Sequence, residues 1–287
     1  MVQMANSAKA GRERLTIRSL LYHDVVDAGN DDSSGFAGPA AAHYKLTWSE
    51  FEQHIEAIRG VCGDRVTTVF DALDSANANA FLLAFDDGGI SSMRIADIIE
   101  RLNWKGHFFI STDYISKTGF VRPEHIAELR RRGHVIGSHS CSHPRRMSAC
   151  SRTEMLREWK NSAEVLSQII GEEITVASVP GGNYSRKVAQ AAAEVGIKVL
   201  FNSDPTTRVR NVDGCWVLGR YGIVRDTSPA MAASLAAGNF ASCTRQFLSW
   251  KVKMALKGIA GNYYDRLRDL CFGENASVSK SGVMRTG

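Results

Sequence analysis

Phe81-Leu82-Leu83-Ala84-Phe85-Asp86-Asp87-Gly88-Gly89 is an apolar run that ends in two carboxylates and two glycines. A short, continuous apolar run closed by turn residues reads as a strand buried on both faces, the strand type of a parallel sheet. Asp86 and Asp87 stand at its end. On extended backbone their side chains would point to opposite sides. Where the chain turns into Gly88-Gly89, both can enter one cavity, one carboxylate to hold a cation and the other a water. Taken alone, the stretch reads better as a simple acidic turn.

The same alternation extends on either side of it. Upstream, Ser19–Val26 reads as a first buried strand, Asp27–His43 as a long loop and candidate lid or substrate loop, and Thr47–Glu50 as a capping box that opens a helix to about Arg59. Downstream, strands are expected at His107–Ile110, His134–Gly137, Thr175–Val179, Lys198–Phe201 and Trp216–Val224. Helices are expected between them at Ser91–Leu102, Pro123–Arg132, Thr153–Ile170 and Ser185–Val195. About seven strands separated by helices imply an α/β fold with a parallel sheet. Chemistry-bearing residues after strand ends favour a barrel, whose C-terminal rim carries active sites. A doubly wound open sheet would want a glycine-rich first turn, and none is present. The expected organisation is a loose tail over 1–18, a barrel over 19–239 and a C-terminal helical extension over 240–287.

Composition narrows the function. The chain has 287 residues and a formal net charge of +5, with its basic residues scattered, which argues against a nucleic-acid partner. Cysteines 62, 141, 150, 215, 243 and 271 form no CxxC pair and read as reduced and partly buried. No stretch approaches the ~20 apolar residues of a membrane span. The first 18 residues lack the apolar core of a signal peptide, so a cytoplasmic location is expected. Peripheral membrane contact through 240–271 is weighed against simple packing and not favoured, because Gly258 and Gly261 interrupt the amphipathic run.

The second signal is His139-Ser140-Cys141-Ser142-His143. On one helical turn, residues i and i+4 share a face and can grip one ion, and Pro144 makes a short turn an equally open reading. Cys141 is expected to point away from the site. With the Asp86-Asp87-Gly88 turn, this motif resembles those of the NodB-type polysaccharide deacetylases, carbohydrate esterase family 4. The family's TFDDG stands here as Ala84-Phe85-Asp86-Asp87-Gly88, and its H(S/T)xxH as His139 to His143. Gly133-His134-Val135-Ile136-Gly137 is similar to the usual lead-in. The third motif, RxPY followed by glycine, is altered to Ser178-Val179-Pro180-Gly181-Gly182.

The resemblance covers roughly residues 19–225 and implies a distorted (β/α)7 barrel. It implies a divalent metal, zinc first with cobalt, nickel or manganese as fits, held by Asp87, His139 and His143. It also implies Asp86 as general base and the Gly181 N–H as an oxyanion donor. The implied activity is removal of acetyl groups, from N or O, on a polysaccharide or glycan precursor. Hydrolysis of a small non-sugar amide or cyclic imide, or a non-catalytic glycan-binding role, are the alternatives. Ala84, Ser178 and the missing LxH depart from the pattern, and all eight histidines lie at or before 143. His23, in a Tyr22-His23-Asp24-Val25 context similar to one branch of the family, is the candidate acid. Arg220 is the candidate replacement for the motif-three arginine. His134 is expected in the core, and His43, His54, His107 and His125 carry no assignment.

Overall fold

The computed structural model describes residues 16–74 and 80–255. The chain begins with strand β1 (Arg18–Tyr22) and the short β2 (Val25–Val26), followed by helix α1 (Pro39–Ala42), β3 (Leu46–Thr47), α2 (Trp48–Cys62) and α3 (Val69–Asp74). Four strand–helix units follow: β4 (Phe81–Phe85) with α4 (Ser92–Glu100), β5 (Gly106–Ile110) with α5 (Pro123–Arg131), β6 (Val135–Ser138) with α6 (Arg152–Ile170), and β7 (Val176–Ser178) with α7 (Arg186–Glu194). Then come β8 (Val199–Phe201), β9 (Arg210–Val212), β10 (Cys215–Leu218), β11 (Tyr221–Gly222) and α8 (Pro229–Ala237). A last helix, α9, runs from 240 to the end of the described residues at 255.

Nine strands form one sheet in the order β11-β1-β4-β5-β6-β7-β8-β10-β9, with β2 and β3 paired separately. Every pairing in the large sheet is parallel except β9 with β10. The sheet curls into a half-barrel. Thr16, just before β1, bridges Arg208, just before β9, and the Ile17 N–H donates to the Thr207 carbonyl at 3.1 Å. All five residues of β4 are buried, as a strand covered on both faces requires. Helices cover the outside with apolar stripes, such as Phe51, Ile55, Ile58 and Cys62 on α2.

The seven strands expected from the sequence are β1, β4, β5, β6, β7, β8 and β10, and the distorted parallel barrel is the fold. Several boundaries need correction. The barrel starts at Thr16 rather than after a tail to residue 18, while residues 1–15 lie outside the described residues. Ser19–Val26 is two strands, because at His23-Asp24 the chain leaves β1 and pairs β2 with β3 instead. Trp216–Val224 is likewise broken, at Gly219-Arg220. The long loop Asp27–His43 contains the short α1. The expected C-terminal extension is helical through 255, and 256–287 lie outside the described residues. Cys62, Cys141 and Cys215 are buried and unpaired, and no disulfide occurs among the described residues.

Candidate metal centre

Parallel strands deliver their C-terminal ends to one rim, and six of them contribute here: β1, β4, β6, β7, β8 and β10. The register sets the alignment. Tyr22 pairs with Phe85, and the Asp86 N–H donates to the Tyr22 carbonyl at 3.0 Å, so His23 and Asp86 leave adjacent strands at one level. The His139 N–H donates to the Ile110 carbonyl at 2.9 Å as the chain leaves β6.

Asp86 and Asp87 are both buried, and both reach one site, because Asp87 (φ 78°) and Gly88 (φ 83°) turn the chain in the left-handed region. Asp87 Oδ1 lies 3.4 Å from Nε2 of His139 and 3.4 Å from Nε2 of His143. Those distances exceed those of good hydrogen bonds, and this buried oxygen has no other partner. One ligand atom from each of Asp87, His139 and His143 fits within 4.8 Å of the others. An orphaned buried carboxylate oxygen facing two imidazole nitrogens is the environment a divalent cation satisfies, and one carboxylate with two histidines is a zinc-type donor set. The residues present therefore fit the metal.

His139 is oriented from behind. Its Nδ1 donates to the Ser178 carbonyl at 3.1 Å and also contacts Ser178 Oγ, which leaves the Nε2 lone pair facing Asp87. The HSxxH segment is not a helical turn, in contrast to the shared-face reading. It is a loop with Ser140 (φ 65°) and His143 (φ 54°) in the left-handed region. Cys141 is outside the ligand set, with its Sγ directed to the Glu158 carbonyl at 3.4 Å.

Asp86 is gripped by Arg220, whose Nη1 and Nη2 donate to its two oxygens at 2.6 and 2.8 Å. Ser178 Oγ donates to Oδ1 at 3.1 Å, and Arg220 Nε is tied to the Asn202 carbonyl at 3.0 Å. Arg220 is fully buried. Burial acts to raise the Asp86 carboxyl, but the Arg220 charge, with His139, brings it below the ordinary aspartate value. Asp87 is held well below that value: burial opposes, and the facing imidazoles of His139 and His143, with His23, prevail. His143 is raised, because the Asp87 carboxylate outweighs burial.

His23 is half-buried on the same rim, with its ring 4.9 Å from that of Tyr44. Its Nδ1 is buried without a partner. Burial lowers its pKa, against the pull of Asp87 and Asp86. Gly181 (φ 61°) lies in the loop after β7, where an added Cβ would come 2.9 Å from the Arg145 carbonyl oxygen. The remaining histidines have structural partners. His107 bonds the Val69 N–H and the Leu83 carbonyl, with burial pushing it down to about 4. His134 accepts from the Gly106 N–H, and His54 bonds the Thr227 carbonyl. His125 accepts from the Arg122 N–H at the start of α5, and His43 packs on Tyr44.

Sequence reasoning missed three contributors. Asn202 gave no signal. Ser178 read only as a lost arginine. Glu158, whose carboxylate accepts the Cys141 and Ser142 N–H groups, lay on the helix after the second motif and gave no signal.

A family model described as polysaccharide deacetylase matches residues 74–200. The peptidoglycan-N-acetylglucosamine deacetylase PgdA of Listeria monocytogenes is 29% identical over 121 residues, 41% of this chain and 24% of that protein. An uncharacterized protein of Geobacillus stearothermophilus is 28% identical over 123 residues, 42% of this chain and 44% of that protein. The chain thus spans less than half the length of these curated relatives. Among solved structures, the Streptococcus pyogenes deacetylase PplD aligns with a TM-score of 0.63 at 17% identity, covering 75% of this chain and 96% of that one. IcaB from Ammonifex degensii aligns with a TM-score of 0.62 at 19% identity, covering 77% and 97%. These likenesses establish the fold. The matched residues 74–200 include Asp86, Asp87, His139, His143 and Ser178, so over this stretch the chain is similar to the polysaccharide deacetylase family.

Proposed function

We propose that this protein is a metal-dependent hydrolase that removes acetyl groups from an acetylated glycan. The observation that carries this reading is the pairing of the Asp87–His139–His143 cluster with a second, separately held carboxylate, Asp86, in one buried site. Asp87, His139 and His143 would hold the metal, zinc by preference. When bound, such a cation acidifies a water and polarises an acetyl carbonyl. Asp86, kept ionised by Arg220, takes the proton of the attacking water. The Gly181 N–H is assigned to the oxyanion. His23 is assigned to protonation of the departing sugar nitrogen or oxygen.

Arg220 on Asp86 and His23 on the same rim supply groups that motif three and the missing LxH would otherwise have provided. That favours a catalytic protein over one that only binds glycan.

The test is acetate release from a panel of acetylated glycans and simple acetyl esters, using chelator-stripped protein reloaded with zinc. Zinc-restored release that falls ~10²-fold or more in Asp86→Asn, with zinc still bound, is expected from loss of a general base. A wild-type chain that binds zinc and releases no acetate would overturn the reading.

A further inference from the structure

The loop between His139 and His143 has no helical hydrogen bonds to hold it, and its two left-handed residues cost on the order of 1–3 kcal/mol each. Such a conformation persists only where its surroundings over-determine it. Its carbonyls are met by the loop after β5: the Thr112 N–H donates to the Ser140 carbonyl and the Asp113 N–H to the Cys141 carbonyl, each at 3.1 Å. Its N–H groups are met by one side chain. Glu158, on the second turn of α6 and only 5% exposed, accepts the N–H groups of Cys141 and Ser142 at Oε2, both at 2.9 Å. Its Oε1 accepts the Ser142 hydroxyl at 2.8 Å. A buried carboxylate is expensive without compensation, and these three donors supply it. It touches neither Asp86 nor Asp87. Its polar contacts fall on the two residues immediately before His143.

We infer that Glu158 is a positioning residue for the metal site, a carboxylate clamp that fixes the loop carrying His143 so that its Nε2 faces Asp87. This inference rests on the reading of Asp87, His139 and His143 as metal ligands. The clamp acts through backbone amides, so its strength depends on an acceptor at the carboxylate position more than on the charge itself.

The test is the zinc dissociation constant of the full chain, measured by competition with a chromophoric chelator, for wild type, E158A, E158Q and W159F. Trp159 is the fully buried neighbour on α6, so W159F controls for loss of helix packing that leaves the loop alone. The expected result is ~10–100-fold weaker zinc binding in E158A, the range for losing a group that orients a ligand. E158Q, which keeps an amide oxygen for the two N–H groups, is expected to recover most of that loss. W159F is expected to unfold at lower temperature with zinc affinity unchanged. Equal affinity in wild type and E158A would overturn the clamp while leaving the metal site intact. So would E158Q as weak as E158A, which would make charge the operative property, or W159F as weak as E158A. A wild-type chain that takes up no zinc would overturn both the clamp and the reading beneath it.

Discussion

Asp86 carries a fork–fork pair with Arg220, a hydrogen bond from Ser178 and a nearby His139 Nε2 at 3.8 Å. A planar guanidinium bonds both carboxylate oxygens at once, whereas a lysine ammonium offers a point charge on a flexible stem. Arg220→Lys is therefore not conservative. It leaves one oxygen of a buried carboxylate short of a donor, a loss of about 1.5–3 kcal/mol for a hydrogen bond to a charged group. The expected outcome is a ~10–100-fold fall in kcat for acetate release. Zinc affinity should stay at the wild-type value, because Arg220 makes its contacts with Asp86 and not Asp87. Steady-state kinetics beside chelator competition checks both, and wild-type kcat in Arg220→Lys would remove the arginine from the machinery. The clustering of Asp87, His139 and His143 was legible in the sequence because these residues follow strand ends in short local motifs. Arg220 stands 134 residues from Asp86 and shares no motif with it. Only the curl of the sheet, which brings the ends of β4 and β10 to one rim, joins them. Local spacing carries no record of that closure, so the sequence offers Arg220 only as a candidate for the missing motif-three arginine and gives no sign that its partner is Asp86.

Asp27–His43, the candidate lid or substrate loop between β2 and β3, is held by hydrogen bonds as a wall beside the site. Lys45 is buried and donates to the carbonyls of Asp31, Ser34 and Phe36 at 2.6, 2.7 and 2.6 Å. Ser34 and Ser91 donate to Asp24 Oδ1 at 2.6 and 2.9 Å. Gly35 and Gly89 pack so closely on Asp24 that an added Cβ would come 1.8 and 1.7 Å from its carboxylate oxygens, which explains the second glycine of Asp86-Asp87-Gly88-Gly89. The wall carries the Phe36 ring to 4.8 Å from that of His143. None of this was visible in a stretch of Gly, Ala, Asp and Ser, because the order comes from tertiary donors that composition does not reveal. Asp24 supplies a test. Burial, then the Asp87 charge, pushes its carboxyl up to about 6 from 3.8. In that window the folded chain binds the proton more tightly than the unfolded one. Stability from this group is therefore full below about 3.8 and is lost as pH rises through about 6. At neutral pH the loss amounts to about 3 kcal/mol. Asp24→Asn keeps an acceptor and removes the charge. In chelator, it should be more stable than wild type in urea at pH 7.5, and its advantage should shrink towards zero at pH 4. An advantage of the same size at both values would refute the titration.

At the scale of the molecule, the proposed metal ligands leave two strand ends, β4 and β6, while the groups that orient Asp86 and His139 leave β7, β8 and β10. A cation bound there ties these strands together in the folded state and finds no preformed site in the unfolded one, so its binding free energy adds to stability. At a free zinc concentration 100 times the dissociation constant, the gain is about 2.7 kcal/mol. For a chain of this size that corresponds to a rise in Tm on the order of 5–10 °C. The gain must depend on pH. The Asp87 carboxylate raises the His143 imidazole above its ordinary value, so without metal His143 holds its proton further into the neutral range. That proton stabilises the metal-free fold below the unfolded value of 6.5 and is lost as pH rises through the folded value. Metal needs the neutral imidazole, so the two compete. The zinc-induced rise in Tm should therefore be largest at pH 8, decline through the neutral range and vanish by about pH 5, when histidine is protonated even at its ordinary value. Calorimetric titration in buffers of different ionisation heat should show protons released on zinc binding at pH 6.5 and fewer at pH 8. Asp87→Asn should abolish the increment at every pH, since it removes both the ligand and the charge that raises His143. A zinc-induced rise that is independent of pH, or that survives Asp87→Asn, would place the ion elsewhere on the molecule.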